Sequence, residues 1–215
     1  MTIISKKQMS EEDIKLQYIT PAIMAKWDIK KITMETNITD GKINLKGNFI
    51  TREKPKRADY VLYLNPNNPI AIVEAKDNKH SISHGLQQAM AYASMLDIPF
   101  AYSSNGDGFF EHDFLTGKER ELDLDEFPTE EELYCRYKNG ANNGEGLSEN
   151  QEKMIQQPYY SSQKTYPPRY YQRIAINRTV DAISMGKDRL LLVMATGTGK
   201  TYTAFQIVYR LLKGV

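Results

Sequence analysis

Cysteine and long apolar runs are the two features that this sequence has least of. Cys135 is the only cysteine among 215 residues, which excludes an internal disulfide and a zinc site built from several cysteines. The longest apolar run, residues 190–195, contains six residues, whereas a transmembrane helix needs about 20. The N-terminus shows no basic segment followed by an apolar one, so we expect no secretory signal. The sequence therefore predicts a cytoplasmic protein that does not span a membrane.

The chain also lacks a large net charge, because 28 Lys and Arg residues are balanced by 27 Asp and Glu residues. The balance hides an asymmetry along the chain. Residues 1–150 contain 18 basic and 24 acidic residues, a net charge of −6, whereas residues 151–215 contain 10 and 3, a net charge of +7. This difference predicts two units with different partners.

Hydrophobic periodicity in the first part of the chain predicts helices and strands in alternation, which is an α/β fold. We expect a domain over residues 1–138 on this basis. Its predicted elements are a helix over 11–27 that Pro21 interrupts, strands between 43 and 76, a helix over 82–96, and two further strands after Pro99.

The second part of the chain begins with a segment that lacks periodicity. Residues 139–165 are predicted to be a linker, and the proline-containing stretch 149–168 is predicted to be extended. A second domain is expected to start at residue 166. Its predicted elements are a helix over 168–185, a strand over 189–194 and a helix over 201–213.

The clearest chemical signal in the first part is a pair of carboxylates with a lysine. Asp59 lies in one predicted strand, and Glu74 and Lys76 lie two residues apart in the next, so these two share a face. Two carboxylates can hold Mg²⁺ through oxygen ligands. A lysine beside them can stabilise the charge that develops when a phosphodiester is attacked. An ordinary ion pair between Glu74 and Lys76 would also explain the tripeptide.

Two side chains on the next predicted helix extend this signal. Gln88 and Tyr92 lie four residues apart, so they share one helix face. The separation of 15 residues between Asp59 and Glu74 fits a hairpin that brings the two carboxylates together. Because too few cations are expected nearby to neutralise both, we expect the two carboxylates to repel each other until a metal binds.

The order Asp59, Glu74-x-Lys76, Gln88-x-x-x-Tyr92 resembles the PD-(D/E)xK nuclease superfamily. More narrowly, it is similar to the nuclease domain of the R (motor) subunit of type I restriction-modification enzymes. The resemblance implies a restriction-endonuclease-like mixed sheet flanked by helices. It also implies roles for the side chains. Asp59 and Glu74 would bind Mg²⁺ or Mn²⁺, and Lys76 would be the catalytic lysine. Gln88 and Tyr92 would position DNA or support the site, and an acid on the first helix, Glu11 or alternatively Glu12, would complete it.

A run of basic residues precedes Asp59 in the sequence. Either these residues form a solvated loop, or they contact DNA phosphates beside the metal site without reading the base sequence. The run consists of Lys46, Arg52, Lys54, Lys56 and Arg57.

The second part of the chain contains a glycine-rich loop between the predicted strand and the last predicted helix. It reads Ala-Thr-Gly-Thr-Gly-Lys-Thr from 195 to 201 and resembles the phosphate loop of superfamily 2 helicases. Gly197 and Gly199 would let backbone N–H groups approach phosphates. Thr196 and Thr198, on either side of Gly197, are predicted to bind nucleotide with the same loop. The resemblance implies that Lys200 contacts the β- and γ-phosphates and that Thr201 binds Mg²⁺.

Gln172, at the end of Tyr-Pro-Pro-Arg-Tyr-Tyr-Gln, resembles the adenine-recognition motif of the same helicases. A glutamine amide offers a donor and an acceptor, which match one edge of adenine. The same segment could alternatively be the aromatic first turn of a helix.

The combined resemblance predicts the N-terminal part of a longer protein: a nuclease domain followed by the first strand and helices of a P-loop motor. The expected activity is metal-dependent cleavage of double-stranded DNA after ATP-driven translocation. The expected partners are DNA and the methyltransferase and specificity subunits of a restriction complex, with ATP as the cofactor of the full-length motor. Two alternatives remain open at this point, a stand-alone metal-dependent DNA nuclease and a non-catalytic DNA-docking module.

Overall fold

The computed structural model of the chain describes residues 5–39, 43–46, 49–52, 54–141 and 144–214. The chain forms two compact units. One extends to Leu64 and resumes over Pro69–Tyr137, and the other comprises Asn65–Asn68 and the residues from Lys138 onward. Across these ranges, no helix combines the length and the apolar character that a membrane span requires.

A mixed six-stranded sheet organises the first unit, which confirms the predicted α/β class. Its spatial order is β1-β4-β5-β6-β7-β8, with β5 and β6 parallel and the pairs β1–β4, β6–β7 and β7–β8 antiparallel. The strands β2 and β3 pair separately with each other. In chain order the strands are β1 (Ile32–Thr39), β2 (Ile43–Lys46), β3 (Phe49–Arg52), β4 (Lys56–Asn65), β5 (Asn68–Ala75), β6 (Phe100–Ser104), β7 (Gly108–Asp113) and β8 (Lys118–Asp123).

The predicted first helix forms, with an interruption just before its proline. It comprises α1 (Glu11–Ile14), a π-helical turn (Lys15–Ile19) and α2 (Thr20–Met24). Ser10 and Asp13 form a capping box that satisfies backbone N–H groups at the start. Pro21 has no N–H to donate, and the Thr20 N–H bonds to the Lys15 carbonyl, five residues back. The wider turn changes the direction in which the Lys15 side chain points from the helix.

Two apolar clusters cover the two faces of the sheet. The helices α1 and α2 contribute Ile14 and Ile23 to the first cluster. The helix α3 (Leu86–Leu96) contributes Ala89 and Ala93 to the second. Strand side chains alternate between faces, and Tyr60, Val73 and Ala75 belong to the first cluster. Glu74, which lies between Val73 and Ala75, therefore points to the face that α3 covers, whereas Asp59 contacts Lys15 of the π-helical turn.

A buried ion-pair network attaches α4 (Glu130–Gly140) to β7. Arg136 on α4 donates to Glu111 at 2.8 Å and to Asp113 at 2.9 Å, and Arg120 donates to Glu111 at 2.8 Å. Tyr102 donates to the same carboxylate. Burial alone would raise the pKa of Glu111, but these hydrogen bonds outweigh burial and lower the pKa to about 2. Glu111 is therefore ionised and paired at neutral pH.

The second unit contains α5 (Glu149–Gln156), α6 (Tyr170–Ser184) and α7 (Lys200–Gly214). The helices α6 and α7 confirm the helices predicted over 168–185 and 201–213. The prediction that 149–168 is extended throughout is wrong at its start. Ser148 and Gln151 form a capping box at the start of α5, and Ile155 of the same helix is buried. Both features stabilise a helix in this part of the stretch. The linker predicted over 139–165 stays a prediction.

The strand predicted over residues 189–194 is wrong, since the structure has no strand at these positions. None of the strands in the described part of the chain pairs with this segment. Leu191 and Val193 are 88% and 87% exposed. A segment with an apolar pattern forms a strand only where a neighbouring strand pairs with its backbone N–H and C=O groups.

Candidate active site

Asp59 and Glu74 lie side by side on β4 and β5. The Asp59 N–H donates to Glu74 Oε1 at 3.3 Å, and the Ala75 N–H donates to Asp59 Oδ2 at 2.8 Å. Glu74 is 1% exposed and Asp59 is 9% exposed. Burial, and next the charge of Asp59, raise the pKa of Glu74 well above its usual range. The hairpin therefore brings together two carboxylates whose charges a cation would stabilise.

The helix α3 adds Gln88 and Tyr92 to this pair. Gln88 Nε2 donates to Glu74 Oε2 at 2.7 Å and to the Tyr92 hydroxyl at 3.2 Å. Because Gln88 and Tyr92 are four residues apart on one helix, a single face of α3 presents both. The amide of Gln88 fixes the orientation of the Glu74 carboxylate.

Lys76 follows the end of β5 and is half-buried. Its backbone N–H donates to Ser104 at 2.8 Å. Its charge acts to lower the pKa of Glu74 and of Glu11. Within the part of the chain that the structure describes, no salt bridge joins Lys76 to Glu74, so the ordinary ion pair considered from the sequence does not form.

The backbone at Gly85 lies close to the side chains of Glu74 and Lys76, a contact that the sequence did not suggest. Gly85 ends a short 3₁₀ turn, Ile82–Gly85, ahead of α3. A Cβ atom at this position would lie 3.4 Å from the Glu74 Cβ and 3.5 Å from the Lys76 Cγ. It would also lie 3.2 Å from the Ser103 Cβ, a tight contact. The turn therefore packs directly over the candidate site.

Lys15 is the most important residue that the sequence analysis missed. Its Nζ lies 2.6 Å from Asp59 Oδ1, and its side chain is 3% exposed. Burial alone would lower the pKa of this ammonium, but hydrogen bonds to Asp59 and Glu12 outweigh burial and raise it. Lys15 therefore supplies a cation to Asp59 that the sequence analysis did not identify, while no salt bridge reaches Glu74 among the described residues. The available signal was a lysine next to Ile14 and four residues before Ile19, two positions of the apolar helix face.

The predicted trio of metal ligands, Asp59, Glu74 and Glu11, is not assembled as a set of three. Among the described residues, no three His, Cys, Asp or Glu side chains are grouped so that they could hold a metal. Lys15 Nζ lies 3.7 Å from Glu11 Oε1 and 2.6 Å from Asp59 Oδ1, so both carboxylates contact the same ammonium. Asp59 and Glu74 alone still suit Mg²⁺, which often takes one or two carboxylates and keeps several waters.

Part of the predicted basic run lies in the described structure. Lys54, Lys56 and Arg57 are exposed, and Arg57 donates to Asn37 at 3.1 Å. The side chains of Lys46 and Arg52 lie outside those that the structure describes. The exposed part of the run directly precedes Asp59 in β4.

The glycine-rich loop of the second unit has the backbone that its glycines predict. Gly197 and Gly199 have φ of 79° and 81°, a region that favours glycine. Thr198 Oγ1 donates to the Ala195 carbonyl at 2.6 Å and closes the turn. Lys200 begins α7 and is exposed, as are Thr196 and Thr201. The helix N-terminus is therefore open to an anionic ligand.

Gln172 lies against this loop. Its Nε2 donates to the Thr198 carbonyl at 2.9 Å, and its Oε1 accepts from the Arg169 N–H at 2.9 Å. A Cβ atom on Gly199 would come within 2.5 Å of Gln172 Nε2. The glutamine thus supports the loop, and its predicted role in binding adenine stays a prediction.

Comparison with known proteins identifies the family of this chain. The family described as the type I restriction enzyme R protein N terminus matches residues 23–128, and the type III restriction enzyme res subunit family matches residues 165–215. The endonuclease subunit of the type I restriction enzyme EcoAI, from Escherichia coli, is 43% identical over 222 residues, which cover 99% of this chain and 26% of that subunit. The chain belongs to the type I restriction R-subunit family.

Further relatives of the R-subunit family agree with this assignment. The EcoKI endonuclease subunit of Escherichia coli K12 is 27% identical over 207 residues, covering 73% of this chain and 17% of that subunit. A solved fragment, described as an HsdR subunit of a type I restriction enzyme from Vibrio vulnificus YJ016, has a TM-score of 0.82 and 40% identity, covering 96% of this chain and 38% of that one. The chain therefore corresponds to the N-terminal region of an R subunit and spans about a quarter of the EcoAI subunit.

Proposed function

We propose that the first unit is a metal-dependent nuclease that cleaves double-stranded DNA. The observation that carries this proposal is the buried pair of Asp59 and Glu74, with Gln88 bonded to Glu74 and Lys76 at the same strand end. Lys15 pairs with Asp59, but among the described residues no salt bridge reaches Glu74, so this buried pair still lacks one neutralising cation. The match of residues 23–128 to the R-subunit family supports the same assignment.

Each side chain has a definite task in this proposal. Asp59 and Glu74 would hold Mg²⁺ or Mn²⁺ through carboxylate oxygens, and Gln88 keeps Glu74 in the required orientation. A bound divalent cation supplies Lewis acidity toward the scissile phosphate. Lys76, whose ammonium is not paired with Glu74, would stabilise the charge that develops on the phosphate. Tyr92, bonded to Gln88, would support the site or contact DNA.

The second unit would bind ATP as the start of a motor, and the match of residues 165–215 to the type III restriction enzyme res subunit family supports this part of the proposal. The exposed Lys200 and Thr201 at the start of α7 suit a triphosphate and its Mg²⁺. An open cavity of ≈ 580 Å³, lined by residues that include Tyr166, Gln172 and Tyr202, lies in the same unit and could receive the base. Action with methyltransferase and specificity subunits on DNA, in the cytoplasm, is part of the same proposal.

Nicking of circular DNA tests the proposed nuclease. We expect the 215-residue chain to nick supercoiled plasmid DNA when Mn²⁺ or Mg²⁺ is present and to stop when EDTA is added. Glu74→Gln should remove the activity, because it removes a ligand charge while keeping the side-chain shape. Glu119→Gln, on β8, is the matched control and should cut like the wild type. DNA binding without any cutting would instead favour a docking module, and equal cutting by Glu74→Gln would place the chemistry elsewhere.

The exposed basic residues before Asp59 should make DNA binding depend on salt. Contacts between Lys54 or Lys56 and DNA phosphates release counterions, so the affinity should fall linearly on a plot of log K against log salt. Replacing both lysines by alanine should reduce the slope by about 2, since each phosphate contact contributes about 0.9. Fluorescence anisotropy with a labelled duplex over a range of NaCl concentrations measures the slope. An unchanged slope would show that these lysines are an ordinary solvated surface.

A further inference from the structure

Lys15 occupies an unusual position for a lysine, because its buried ammonium is surrounded by carboxylates. Besides Asp59 at 2.6 Å, Nζ lies 3.0 Å from Glu12 Oε1, 3.3 Å from Glu35 Oε1 and 3.7 Å from Glu11 Oε1. Of these four acids, Asp59 is the one that is nearly buried, whereas Glu12 and Glu35 are 75% and 53% exposed. The lysine thus links the candidate metal ligand to acids at the surface.

Two local departures from regular structure bring these groups together. Lys15 is the first residue of the π-helical turn, a feature that is often found at functional sites. Glu35, within β1, has φ of 50°, which is rare for a residue other than glycine. The register pairs on either side of Glu35 place it opposite Asp59. Strained backbone at a strand residue is retained where the surrounding structure requires it.

Lys15 and a divalent cation would compete for the same carboxylate. Asp59 Oδ2 already accepts the Ala75 N–H, and Oδ1 accepts the ammonium. A cation bound by Oδ1 would place two or more positive charges within a few ångströms of Nζ, in a site with little water to screen them. One of the two must therefore yield when the other is bound.

We propose that Lys15 is the internal counter-cation of the metal site, a positioning residue that holds Asp59 in the metal-free protein and gives up Oδ1 when the metal binds. This inference rests on the proposed nuclease function. Glu12 and Glu35 already contact the ammonium, so they retain it after it leaves Asp59 without a large movement of the helix. Lys15 thereby stabilises the empty site and weakens metal binding by the same interaction.

The test is the effect of a neutral residue at position 15 on two properties that should change in opposite directions. Lys15→Met keeps the length of the side chain and removes the charge. Without metal, its melting temperature should fall, because Asp59 and the neighbouring acids lose their counter-charge. Its affinity for Mn²⁺ should rise by about tenfold or more, because the metal no longer displaces a cation. A residue that only supports the fold would lower the melting temperature without tightening metal binding.

Titration calorimetry of the 215-residue chain with Mn²⁺, without nucleotide, measures the affinity. The part of the Mn²⁺-binding heat that is present in the wild type and absent in Asp59→Asn is assigned to this site. Lys15→Gln is a second neutral variant in case Lys15→Met does not fold, and Lys15→Arg, which keeps the charge, should restore an affinity near that of the wild type. Lys31→Met is the matched control. It removes a lysine paired with Glu130, away from the site, and should leave the Mn²⁺ affinity unchanged.

Each outcome decides the inference. Tighter Mn²⁺ binding by the neutral variants, reversed by Lys15→Arg, supports it. If the wild type binds Mn²⁺ at Asp59 and the neutral variants bind equally or more weakly, the role of Lys15 is wrong while the proposed function stands. If neither the wild type nor any Lys15 variant shows heat that depends on Asp59, both the inference and the proposed metal site are wrong.

Discussion

Lys76→Ala is expected to reduce DNA cleavage by about a hundredfold or more, since removal of one group that stabilises transition-state charge typically has an effect of this size. Lys76 is half-buried at the end of β5, at the same strand end as Glu74. It forms no salt bridge to Glu74 in the described structure, so its loss should cost little stability. Metal binding should persist, because lysine is not a metal ligand in this site.

The control for this variant lies three residues further along the chain. Lys79 is 65% exposed and has Asp77 as its ionic neighbour at 3.8 Å. Lys79→Ala removes the same charge from nearly the same segment and should cut DNA like the wild type. Initial rates of plasmid nicking at saturating Mn²⁺, with melting curves for both variants, make the comparison. Near-normal cutting by a folded Lys76→Ala chain would remove Lys76 from the catalytic groups.

Asp59→Asn is expected to abolish the rise in stability that divalent metal gives the wild type. A metal that binds only the folded chain adds about 2.7 kcal/mol to the free energy of unfolding at a concentration a hundred times its Kd. The asparagine keeps the shape of the side chain but has no charge for the metal. Its uncharged amide forms no ion pair with Lys15, so the metal-free protein loses this ion pair while Glu74 loses a repelling neighbour. Melting curves with and without millimolar Mn²⁺ measure the difference.

Asp107 offers a closely matched control for this experiment. It pairs with Lys6 at 2.6 Å, the same distance as between Lys15 and Asp59. Asp107→Asn therefore loses an ion pair of the same length in the same unit, although a more exposed one, and it should keep the full metal-dependent rise. A rise in Asp59→Asn equal to that of the wild type would mean that metal stabilises the chain at another place.

The pairing of Asp59 with Glu74 could be predicted because it depends on local geometry. Two apolar strands joined by a short turn bring residues 15 apart in sequence to neighbouring strands. The i, i+4 relation likewise predicted that Gln88 and Tyr92 would share a face of α3, and in the structure Gln88 bonds to both Tyr92 and Glu74. The catalytic and metal-binding roles of these residues remain predictions.

Lys15 and Gly85 could not be predicted in the same way. The direction of Lys15 depends on the π-helical turn, which replaces the regular hydrogen bonds ahead of Pro21. Proline indicates an interruption but not its form. The close packing of Gly85 against Ser103 and Glu74 is a tertiary contact, which no local pattern encodes. Both residues belong to the site through packing between elements distant in sequence.

The wrong prediction of a strand over residues 189–194 has a related cause. Its run of leucine and valine is typical of a buried strand, but a strand also needs a partner for its backbone groups. Residues 190–193 remain exposed and unpaired with any strand in the described ranges. An apolar pattern alone therefore predicts that a segment favours a strand, but it does not predict whether another strand pairs with it.

The most direct test of the metal site is a crystal structure of the chain soaked in millimolar Mn²⁺, with anomalous scattering recorded above the manganese edge. The proposed function predicts an anomalous peak that is coordinated by oxygens of both Asp59 and Glu74 and is lost in Asp59→Asn crystals. A map with no peak at these carboxylates, and with Lys15 still bonded to Asp59, would contradict it.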